Sequence, residues 1–490
     1  ANCQRCGQEY IVGRTNEEGV LVHADSDIDI EGVNRRKPEY YMLCDNIDGL
    51  FVSDYDEDEA LVEGDNTSDY DLDEYILCTA CGKIEPVGKK GQDRCCAFPT
   101  DKYIKVSKVK TGEYSVNTCA RCGNHSVGIV KQFRTADDPA TEVLTRSLYQ
   151  CIPTEENEIS TDDIFGDAVS EEKGRKLLVF SDSRQEAAFF ASFLQLKYNN
   201  LLWRNAILHE INELKQFDDI RIDSLVNKVV AYGKQNTLFD NALDDVARQK
   251  MLQTYLTKEF MDIEPQIGLE GLGLIAFSPE KTVKWSKLQL DKLDITNDLE
   301  LSRDELWDLY CVMFDSLRSL GVTTLPELID IKDKEFSPRN RMVYFKLMPE
   351  NDNAGSAIVG WLPKESRHNR RSDFLKKMYL KKGFSQEKAD SASKRFLKEL
   401  LTCQLYEKLW KKDGYIQEDI IARKGKLLRI NYKMWQVNEP SKLYICNKCG
   451  RIAAYNLRGV CQGFRCQGEV ITYNNEKTRF SYYKDLYKKM

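Results

Sequence analysis

The stretch KLLVFSDSRQEAAFFASFL, residues 176 to 194, indicates the type of fold better than any other part of the sequence. Its first five residues, Lys176 to Phe180, are largely apolar and typical of a buried strand. The polar turn Ser181-Asp182-Ser183 can cap a helix, and Ala and Phe follow at helical spacing. A parallel strand that leads directly into a helix N-terminus is a place where proteins bind phosphate. The stretch therefore predicts a strand–turn–helix unit of an α/β domain.

Composition limits the class of protein. The chain has 490 residues, 42% apolar and 30% charged, which is long enough for about two to four domains. No apolar run approaches the roughly 20 residues of a membrane span, and the N-terminus does not resemble a signal peptide. We therefore expect a cytoplasmic chain with no membrane contact. Because Ala1 opens directly into a C-x-x-C pair, we also expect a piece of a longer protein.

Charge is unevenly distributed around the net value of -7. Residues 45 to 74 hold 13 Asp or Glu and no Lys or Arg, a composition typical of a solvated loop. Residues 337 to 430 instead hold 22 Lys or Arg against 11 Asp or Glu. The local excess of +11 predicts either a nucleic-acid face or a solvated helix surface. On the first interpretation the contacts would be Arg367, Arg370, Arg371, Lys376 and Lys377.

The last cysteines form the strongest metal-binding pattern, Cys446-x2-Cys449-x11-Cys461-x4-Cys466. Two ligand pairs are separated by a span that can form a hairpin, and Gly450 and Gly468 follow them closely. Zn²⁺ in structural sites takes four thiolates in a tetrahedron, and turns of this kind direct N–H groups at the sulfurs. The pattern predicts a zinc module over residues 441 to 475. The alternative is four ordinary buried cysteines.

The N-terminal cysteines predict further zinc sites, but their pairing stays open. Three C-x-x-C pairs occur, and Cys95-Cys96 could complete a fourth; the pairs are Cys3/Cys6, Cys78/Cys81 and Cys119/Cys122. In a nested arrangement the first and third pairs share one ion, while the middle pair binds a second with one or both of Cys95 and Cys96. Alternatively the second and third pairs combine. We expect about two to three zinc ions in the chain. His125 could substitute as a ligand, and the alternative for it is a solvated histidine. Cys44, Cys151, Cys311 and Cys403 stand alone as core or surface thiols.

Several strings resemble one protein family. They are C-x-x-C-G-x-x-Y at Cys3 to Tyr10, LYQCIP ending at Pro153, FSDSRQEAAFFA from Phe180, WLPKESRHNRRSDFL from Trp361 to Leu375, and the final cysteine module. Together they resemble the large, zinc-finger-bearing superfamily 2 DEAD/DEAH-type helicases of the DUF1998-associated kind, which occur in the phage-defence systems DISARM and Druantia. The resemblance implies that Lys176 to Leu194 begins the second RecA-like domain, as helicase motif IV. It also implies that Phe180, Ser181 and Arg184 face the nucleic-acid backbone, with Arg184 on a phosphate; the alternative for Arg184 is an exposed helix start.

The expected fold class is a multidomain α/β protein with β-rich zinc-ribbon modules, a partial RecA-like α/β domain with a large, mainly helical insertion, and a C-terminal four-cysteine zinc module. The expected ranges are as follows: 1–135 zinc-binding β-rich modules with the acidic loop 45–74, 136–174 helical connector and acidic linker, 175–200 start of the RecA-like domain, 201–436 mainly helical basic insertion, 441–475 zinc module, and 476–490 return to the RecA-like domain.

The departures from the helicase pattern decide what this chain can do alone. An ATP-driven helicase needs G-x-x-x-x-G-K-[ST], which is absent from the sequence, and motifs V and VI are missing. The tetrad Asp58-Glu59-Ala60-Leu61 follows no buried strand, so it is not interpreted as a DEAD box. We therefore expect no catalytic residue here, with ATP and Mg²⁺ binding only in the complete parent protein.

Three hypotheses about function follow. In the first, the chain is a fragment or split subunit of an ATP-dependent helicase or translocase that acts in antiviral defence. It would contact nucleic acid, DNA in preference to RNA, and dock the remaining helicase parts or a defence-complex subunit. In the second, it is a stand-alone zinc-ribbon adaptor that binds nucleic acid or protein without a motor. A thiol enzyme is the weakest hypothesis, because the four histidines lie far from any lone cysteine in sequence.

Overall fold

The computed structural model describes residues 1–3, 8–22, 38–43, 73–87, 95, 103–109, 116–119, 125–131, 145, 148, 151–152, 184–214, 220–264, 267–287, 289, 295–336, 341–347, 358–363, 368–421, 425–447, 449–464, 466–473, 484–485 and 487. Over these residues the chain is mixed α/β with five small sheets. It divides into two compact units, Ala1–Gln132 with Arg204–Met490, and Phe133–Trp203.

The N-terminal region is built from antiparallel strands. A six-stranded sheet has the order β3-β2-β4-β7-β5-β6, and a three-stranded sheet has the order β1-β9-β8. The strands are β1 Asn2–Cys3, β2 Tyr10–Thr15, β3 Leu21–Val22, β4 Glu39–Leu43, β5 Glu74–Cys78, β6 Ile84–Pro86, β7 Tyr103–Val109, β8 Val116–Thr118 and β9 His125–Lys131. Strand β4 is buried on both faces, because Tyr40 and Met42 enter one apolar core while Tyr41 enters another. Side chains that alternate along a strand thus serve two cores at once.

A long helix, α1, begins at Arg184 and ends at Glu213. Its first residue comes directly after Ser181-Asp182-Ser183, where the sequence predicts a helix start, and the helix continues without interruption past the expected border at residue 200. The strand expected at Lys176 to Phe180 lies outside the described residues. The RecA-like assignment therefore stays a prediction.

The region expected to be mainly helical also contains two sheets. Its helices are α2 Ile222–Gln235, α3 Asp245–Phe260, α4 Val283–Ser286, α5 Arg303–Arg318, α6 Arg370–Lys381 and α7 Gln386–Thr402, followed by a π-helix at Tyr406–Lys411. Short 3-10 turns occupy Lys334–Phe336 and Tyr432–Met434. The strands are β10 Ala276–Pro279, β11 Tyr344–Lys346, β12 Ile358–Gly360, β13 Ile416–Ile421, β14 Gly425–Ile430 and β15 Trp435–Asn438. Strands β10 and β15 form an antiparallel pair, and the other four have the order β12-β11-β14-β13 with β11 parallel to β12.

An aromatic cluster around Trp410 forms the centre of this region. The Trp410 ring centroid lies 4.6 Å from that of Tyr310, 4.8 Å from that of Phe314 and 5.4 Å from that of Trp307. Both Trp410 and Tyr310 are fully buried. Large aromatic side chains of this kind dominate the apolar area that a core buries. Helix α5 supplies three of the four rings, so it is the central helix of the cluster.

A small sheet closes the described fold near the C-terminus. Its strands are β16 Tyr444–Cys446, β17 Ile452–Ala453 and β18 Val470–Thr472, in the antiparallel order β17-β16-β18. Among the helices of the described residues, none is long and apolar enough to cross a membrane.

Candidate metal centre

The first half of the C-terminal site is a tight turn at the end of strand β16. The Cys446 N–H donates to the Arg451 carbonyl at 3.0 Å, and the Gly450 N–H donates to the Cys446 carbonyl at 2.9 Å. Gly450 has a φ of +68°, a left-handed conformation that favours glycine. These bonds close the turn within six residues and bring the Cys446 and Cys449 thiols to one side.

The second half comes from the loop that returns to strand β18. Val470 pairs with Cys446 in the sheet, which places the end of this loop beside the first half-site. The Gly463 N–H points at the Cys461 sulfur at 3.3 Å, and the Gly468 N–H points at the Cys466 sulfur at 3.4 Å. Backbone N–H groups directed at sulfur stabilise thiolate, the form that binds metal.

The four sulfur atoms fit one tetrahedral zinc ion. All four lie within 4.8 Å of one another, with 3.7 Å between Cys446 and Cys466 and 3.5 Å between Cys449 and Cys461. A tetrahedron with Zn–S bonds of about 2.3 Å has edges of about 3.8 Å, whereas a disulfide bond is only about 2.05 Å long. Cys446, Cys461 and Cys466 are each at most 2% exposed. Four protein sulfurs around one ion would leave no open position for substrate, so the site is of the structural kind.

The thiols of this cluster are hydrogen-bonded to one another. Hydrogen bonds from the Cys449, Cys461 and Cys466 thiols, that of Cys449 most strongly, hold the pKa of Cys446 well below its usual range. The same contact with Cys446 raises the pKa of Cys449. Hydrogen bonds from its neighbours thus favour the thiolate form of Cys446. A zinc ion would take the place of the thiol protons, because its ligands must be deprotonated.

A second thiol cluster uses the same turn. Cys78, Cys81 and Cys95 lie within 4.8 Å of one another, with 3.5 Å between the Cys81 and Cys95 sulfurs. The Cys78 N–H donates to the Lys83 carbonyl at 2.9 Å, and Gly82, at a φ of +77°, donates to the Cys78 carbonyl at 2.9 Å. The backbone N–H of Cys81 is the largest influence that lowers the pKa of Cys78, to about 7. Cys81 and Cys95 are exposed.

This cluster holds three of the four ligands that a structural zinc ion needs. Cys96, the expected partner of Cys95, lies outside the described residues. The nested arrangement requires Cys95 to lie close to Cys78 and Cys81, and the structure places these three thiols together.

Cys3 and Cys119 lie in one apolar core of the N-terminal region, and both are buried. Strands β1 and β8 flank β9, where Cys3 and Val116 both pair with Val130. The Tyr10 hydroxyl lies 3.0 Å from the Cys119 sulfur. Cys6 and Cys122 lie outside the described residues, as does the side chain of His125. The placement of Cys3 near Cys119 is compatible with a shared ion, and that pairing stays a prediction.

The lone cysteines that the structure describes are core or surface thiols. Cys311 and Cys403 are buried, and Cys151 is exposed. Burial raises the pKa of the Cys311 thiol, which disfavours a reactive thiolate. Cys44 lies outside the described residues.

The expected nucleic-acid contacts fall into two groups. Phe180, Ser181 and Arg367 lie outside the described residues. Arg184 is the first residue of helix α1, at the helix start that the sequence predicts, and its side chain is not among those described. The other four, Arg370, Arg371, Lys376 and Lys377, all lie on helix α6.

Arg371 points into the protein, which corrects its expected role as a phosphate contact. Its side chain is 1% exposed. It donates to the Gly360 carbonyl at 2.6 Å, to the Trp361 carbonyl at 3.3 Å and to the Ser316 hydroxyl at 3.1 Å. The buried guanidinium shares the carbonyls of Gly360 and Trp361 with the Asn369 amide, so Arg371 stabilises the fold and cannot reach a nucleic acid.

Arg370 and Lys377 contact the loop that carries Cys461 and Cys466. Arg370 donates to the Gln462 carbonyl at 3.2 Å and to the Ser319 hydroxyl at 3.1 Å. Lys377 donates to the Gly463 carbonyl at 2.7 Å and to the Cys466 carbonyl at 3.3 Å. Lys376 is half-buried, and its ammonium lies 3.5 Å from the His368 ring. Arg370 and Lys377 therefore have structural partners, and only Lys376 of these three keeps its expected role as a possible phosphate contact.

The local charge excess is also reduced by acids from other parts of the chain. Arg395 pairs with Asp298, Lys382 with Glu300 at 3.1 Å, and Lys381 with Glu469 at 3.5 Å. None of these three acids belongs to the basic segment 337–430. The excess of +11 in sequence is therefore not the charge that the folded surface presents.

A shared signal in the sequence links the thiol sites. Each of the four C-x-x-C pairs is followed directly by glycine, namely Gly7, Gly82, Gly123 and Gly450. At the two of these that the structure describes, glycine has a positive φ and donates to the carbonyl of the first cysteine. The motif C-x-x-C-G thus predicts this turn more specifically than cysteine spacing alone.

Taken together, the described cysteine groups define a protein with clustered thiols that could hold zinc. Residues 1–136 match the family model of the YjiV N-terminal domain. No curated protein and no solved structure matches the chain. The matched range contains the Cys78 cluster but not the Cys446 cluster. It does not carry the helicase assignment, which stays a proposal.

Proposed function

We propose that this chain is a zinc-stabilised, non-catalytic region of a larger superfamily 2 helicase or translocase that acts on DNA in antiviral defence. Its role is to support the motor, contact nucleic acid and dock further parts of the complex. The observation that carries the scaffold role is the closed set of four sulfurs at Cys446, Cys449, Cys461 and Cys466. A site with four protein ligands shapes the chain and leaves no position for catalysis.

The way in which the zinc module is attached supports a scaffold role. Arg370 and Lys377 of helix α6 bind the carbonyls of its ligand loop. On another side, Arg458 of the module donates to the Glu305 carboxylate at 2.8 Å and to the Leu299 carbonyl at 2.7 Å. Gly273 approaches so closely that an added Cβ would lie 2.7 Å from Leu443. Because these three groups of contacts attach the module to the helical region, we expect the two to move together.

The nucleic-acid role rests on the resemblance around FSDSRQEAAFFA and on Trp361 to Leu375. After the reassignment of Arg370, Arg371 and Lys377, the proposed contacts are Phe180, Ser181, Arg184, Arg367 and Lys376. ATP and Mg²⁺ belong to the complete parent protein, since this chain has no G-x-x-x-x-G-K-[ST] loop.

Arg184 gives the sharpest test of this role. Fluorescence anisotropy with labelled single-stranded DNA, over a series of salt concentrations, should show binding that weakens as salt rises. Arg184→Ala should weaken binding similarly for all sequences and flatten the log–log salt slope by about 0.7, the value for one lost single-strand phosphate contact. RNA of the same sequence should bind more weakly than DNA.

The matched control is Lys388→Ala, which removes an exposed cation from helix α7. It should leave the affinity and the slope unchanged. If the zinc-loaded chain shows no salt-dependent binding to DNA or RNA, the nucleic-acid role is wrong, and the stand-alone protein-binding adaptor becomes the better hypothesis.

A further inference from the structure

The two halves of the C-terminal thiol site are ordered in different ways. The Cys446 half-site has two residues between its cysteines and closes through its own backbone bonds to Arg451 and Gly450. The Cys461 half-site has four residues between its cysteines. Across its described residues, the one backbone bond within the loop runs from the Cys466 N–H to the Gly463 carbonyl at 3.2 Å. The longer loop therefore depends more on contacts from outside.

Helix α6 supplies those contacts through Lys377. Its ammonium donates to the carbonyls of Gly463 and Cys466 and pairs with the Asp373 carboxylate at 2.9 Å. An ammonium group has three donors, and these three acceptors use all of them. The side chains of Lys377 and Asp373 are only 14% and 13% exposed. The arrangement is therefore a largely shielded network in which each donor of Lys377 has an acceptor, rather than a surface ion pair.

Both carbonyls belong to residues that determine where the sulfurs lie. Cys466 is itself a ligand, and Gly463 directs its N–H at the Cys461 sulfur. Zinc bound to four thiolates carries a net charge of about -2, so a nearby ammonium is also favourable electrostatically. Groups that orient metal ligands from outside commonly change metal affinity by about 10- to 100-fold when they are removed.

We propose that Lys377 is a positioning residue for zinc: it holds the Cys461–Cys466 loop in the metal-binding conformation and offsets the charge of the four thiolates. This inference rests on the proposed zinc scaffold and deepens it, because it makes helix α6 part of the metal site. Zinc retention is then coupled to the contact between α6 and the module.

The test measures how fast the full, zinc-loaded chain transfers zinc to a coloured chelator. Cys449→Ser first identifies the phase that belongs to this site, since that phase should disappear. Lys377→Met keeps the apolar stem but removes the charge and the donors, and it should accelerate the same phase about 10- to 100-fold. If Lys377→Met folds poorly, the double variant Lys377→Met with Asp373→Asn takes its place, because it leaves no unpaired buried carboxylate. The double variant should show the same acceleration.

Two controls separate positioning from general stability. Lys376→Met makes the same change one position away, and Arg458→Met loosens the module without touching the Cys461–Cys466 loop. Both should leave the rate within about twofold of the unmodified chain, a change far below the 10-fold expected for a positioning group. An unchanged rate in Lys377→Met, or an equal acceleration in Arg458→Met, would overturn the role of Lys377. If Cys449→Ser removes neither zinc nor a release phase, the zinc site itself is wrong, and the proposed scaffold fails with it.

Discussion

Buried arginines connect distant parts of this chain. Arg318 is 2% exposed, donates to the Phe260 carbonyl at 2.5 Å, and pairs with Glu270 and Asp315. Arg204 pairs with Glu259 at 2.6 Å in a similar buried setting. Charged groups are rarely buried without such partners, because desolvation costs more than an isolated ion can recover. The planar guanidinium, with five donors, suits sites where several carbonyls and carboxylates converge.

Arg371 leads to a prediction at this scale. Arg371→Ala removes hydrogen bonds to the carbonyls of Gly360 and Trp361 and to the Ser316 hydroxyl, and it leaves a cavity beside the Trp361 ring. The Asn369 amide still donates to both carbonyls. We expect the substitution to lower the free energy of unfolding by about 2 to 4 kcal/mol, since each lost hydrogen bond costs about 0.5 to 1.5 kcal/mol and the cavity adds to the loss. Urea unfolding followed by tryptophan fluorescence would measure this change.

The exposed Lys388 again provides the matched control. Lys388→Ala should stay within about 0.5 kcal/mol of the unmodified chain. If Arg371→Ala were equally neutral, and weakened DNA binding instead, its inward placement would be contradicted and the original expectation from charge restored.

The Arg371 result also shows what the sequence could not reveal about single residues. A run such as Arg370-Arg371 has the composition of a surface patch, and its chemistry suits phosphate equally well. Its burial depends on the carbonyls of Gly360 and Trp361 and on Ser316 of helix α5, which lies 55 residues earlier in the sequence. No local sequence pattern indicates that these groups contact Arg371.

Among the elements, the cysteine turns were the most predictable. Their hydrogen bonds close within six residues, so C-x-x-C-G contains almost all the information that the turn needs. The helix after Ser181-Asp182-Ser183 was predictable for the same reason, because a cap and helical spacing are local signals. The pairings of β10 with β15 and of β11 with β14 were not, since their partners, such as Phe277 with Val437 and Phe345 with Leu428, are far apart in the sequence. Short strands of three or four residues carry too little pattern to be recognised alone.

The C-terminal module leads to a prediction at the scale of the element. Cys449→Ser should unfold residues 441 to 475 and release one zinc ion, because metal binding supplies folding energy on the order of 10 kcal/mol per structural site. The thiol sites before residue 135 should keep their metal. Elemental analysis together with limited proteolysis would test both expectations.

Gly450 offers a comparison within the same turn. An added Cβ there meets no atom within 4 Å, so Gly450→Ala brings only the strain of a left-handed alanine, about 1 kcal/mol. It should keep its zinc. A Cys449→Ser variant that retains a full complement of zinc and resists protease would contradict a structural metal at this site.

For the whole molecule, the thiol clusters set the expected metal content. The Cys446 group supplies four ligands and the Cys78 group three, and Cys3 and Cys119 lie together in a separate core. We therefore expect about three zinc ions per chain, each in a structural site. Elemental analysis of protein never exposed to chelator would measure this number, and fewer than two ions would contradict it. A strong chelator should lower the melting temperature, because the ions bind only the folded chain.

The pairing of β10 with β15 has a consequence for how this protein is made. Phe277 of β10 lies opposite Val437 of β15, roughly 160 positions later in the chain. At synthesis rates of about 5 to 20 residues per second, β10 leaves the ribosome roughly 8 to 30 seconds before its partner exists. During that interval the edge of β10 and the Phe277 ring are open to other chains. This two-stranded sheet is thus completed late. Until then β10 is an unpaired strand that needs protection from aggregation.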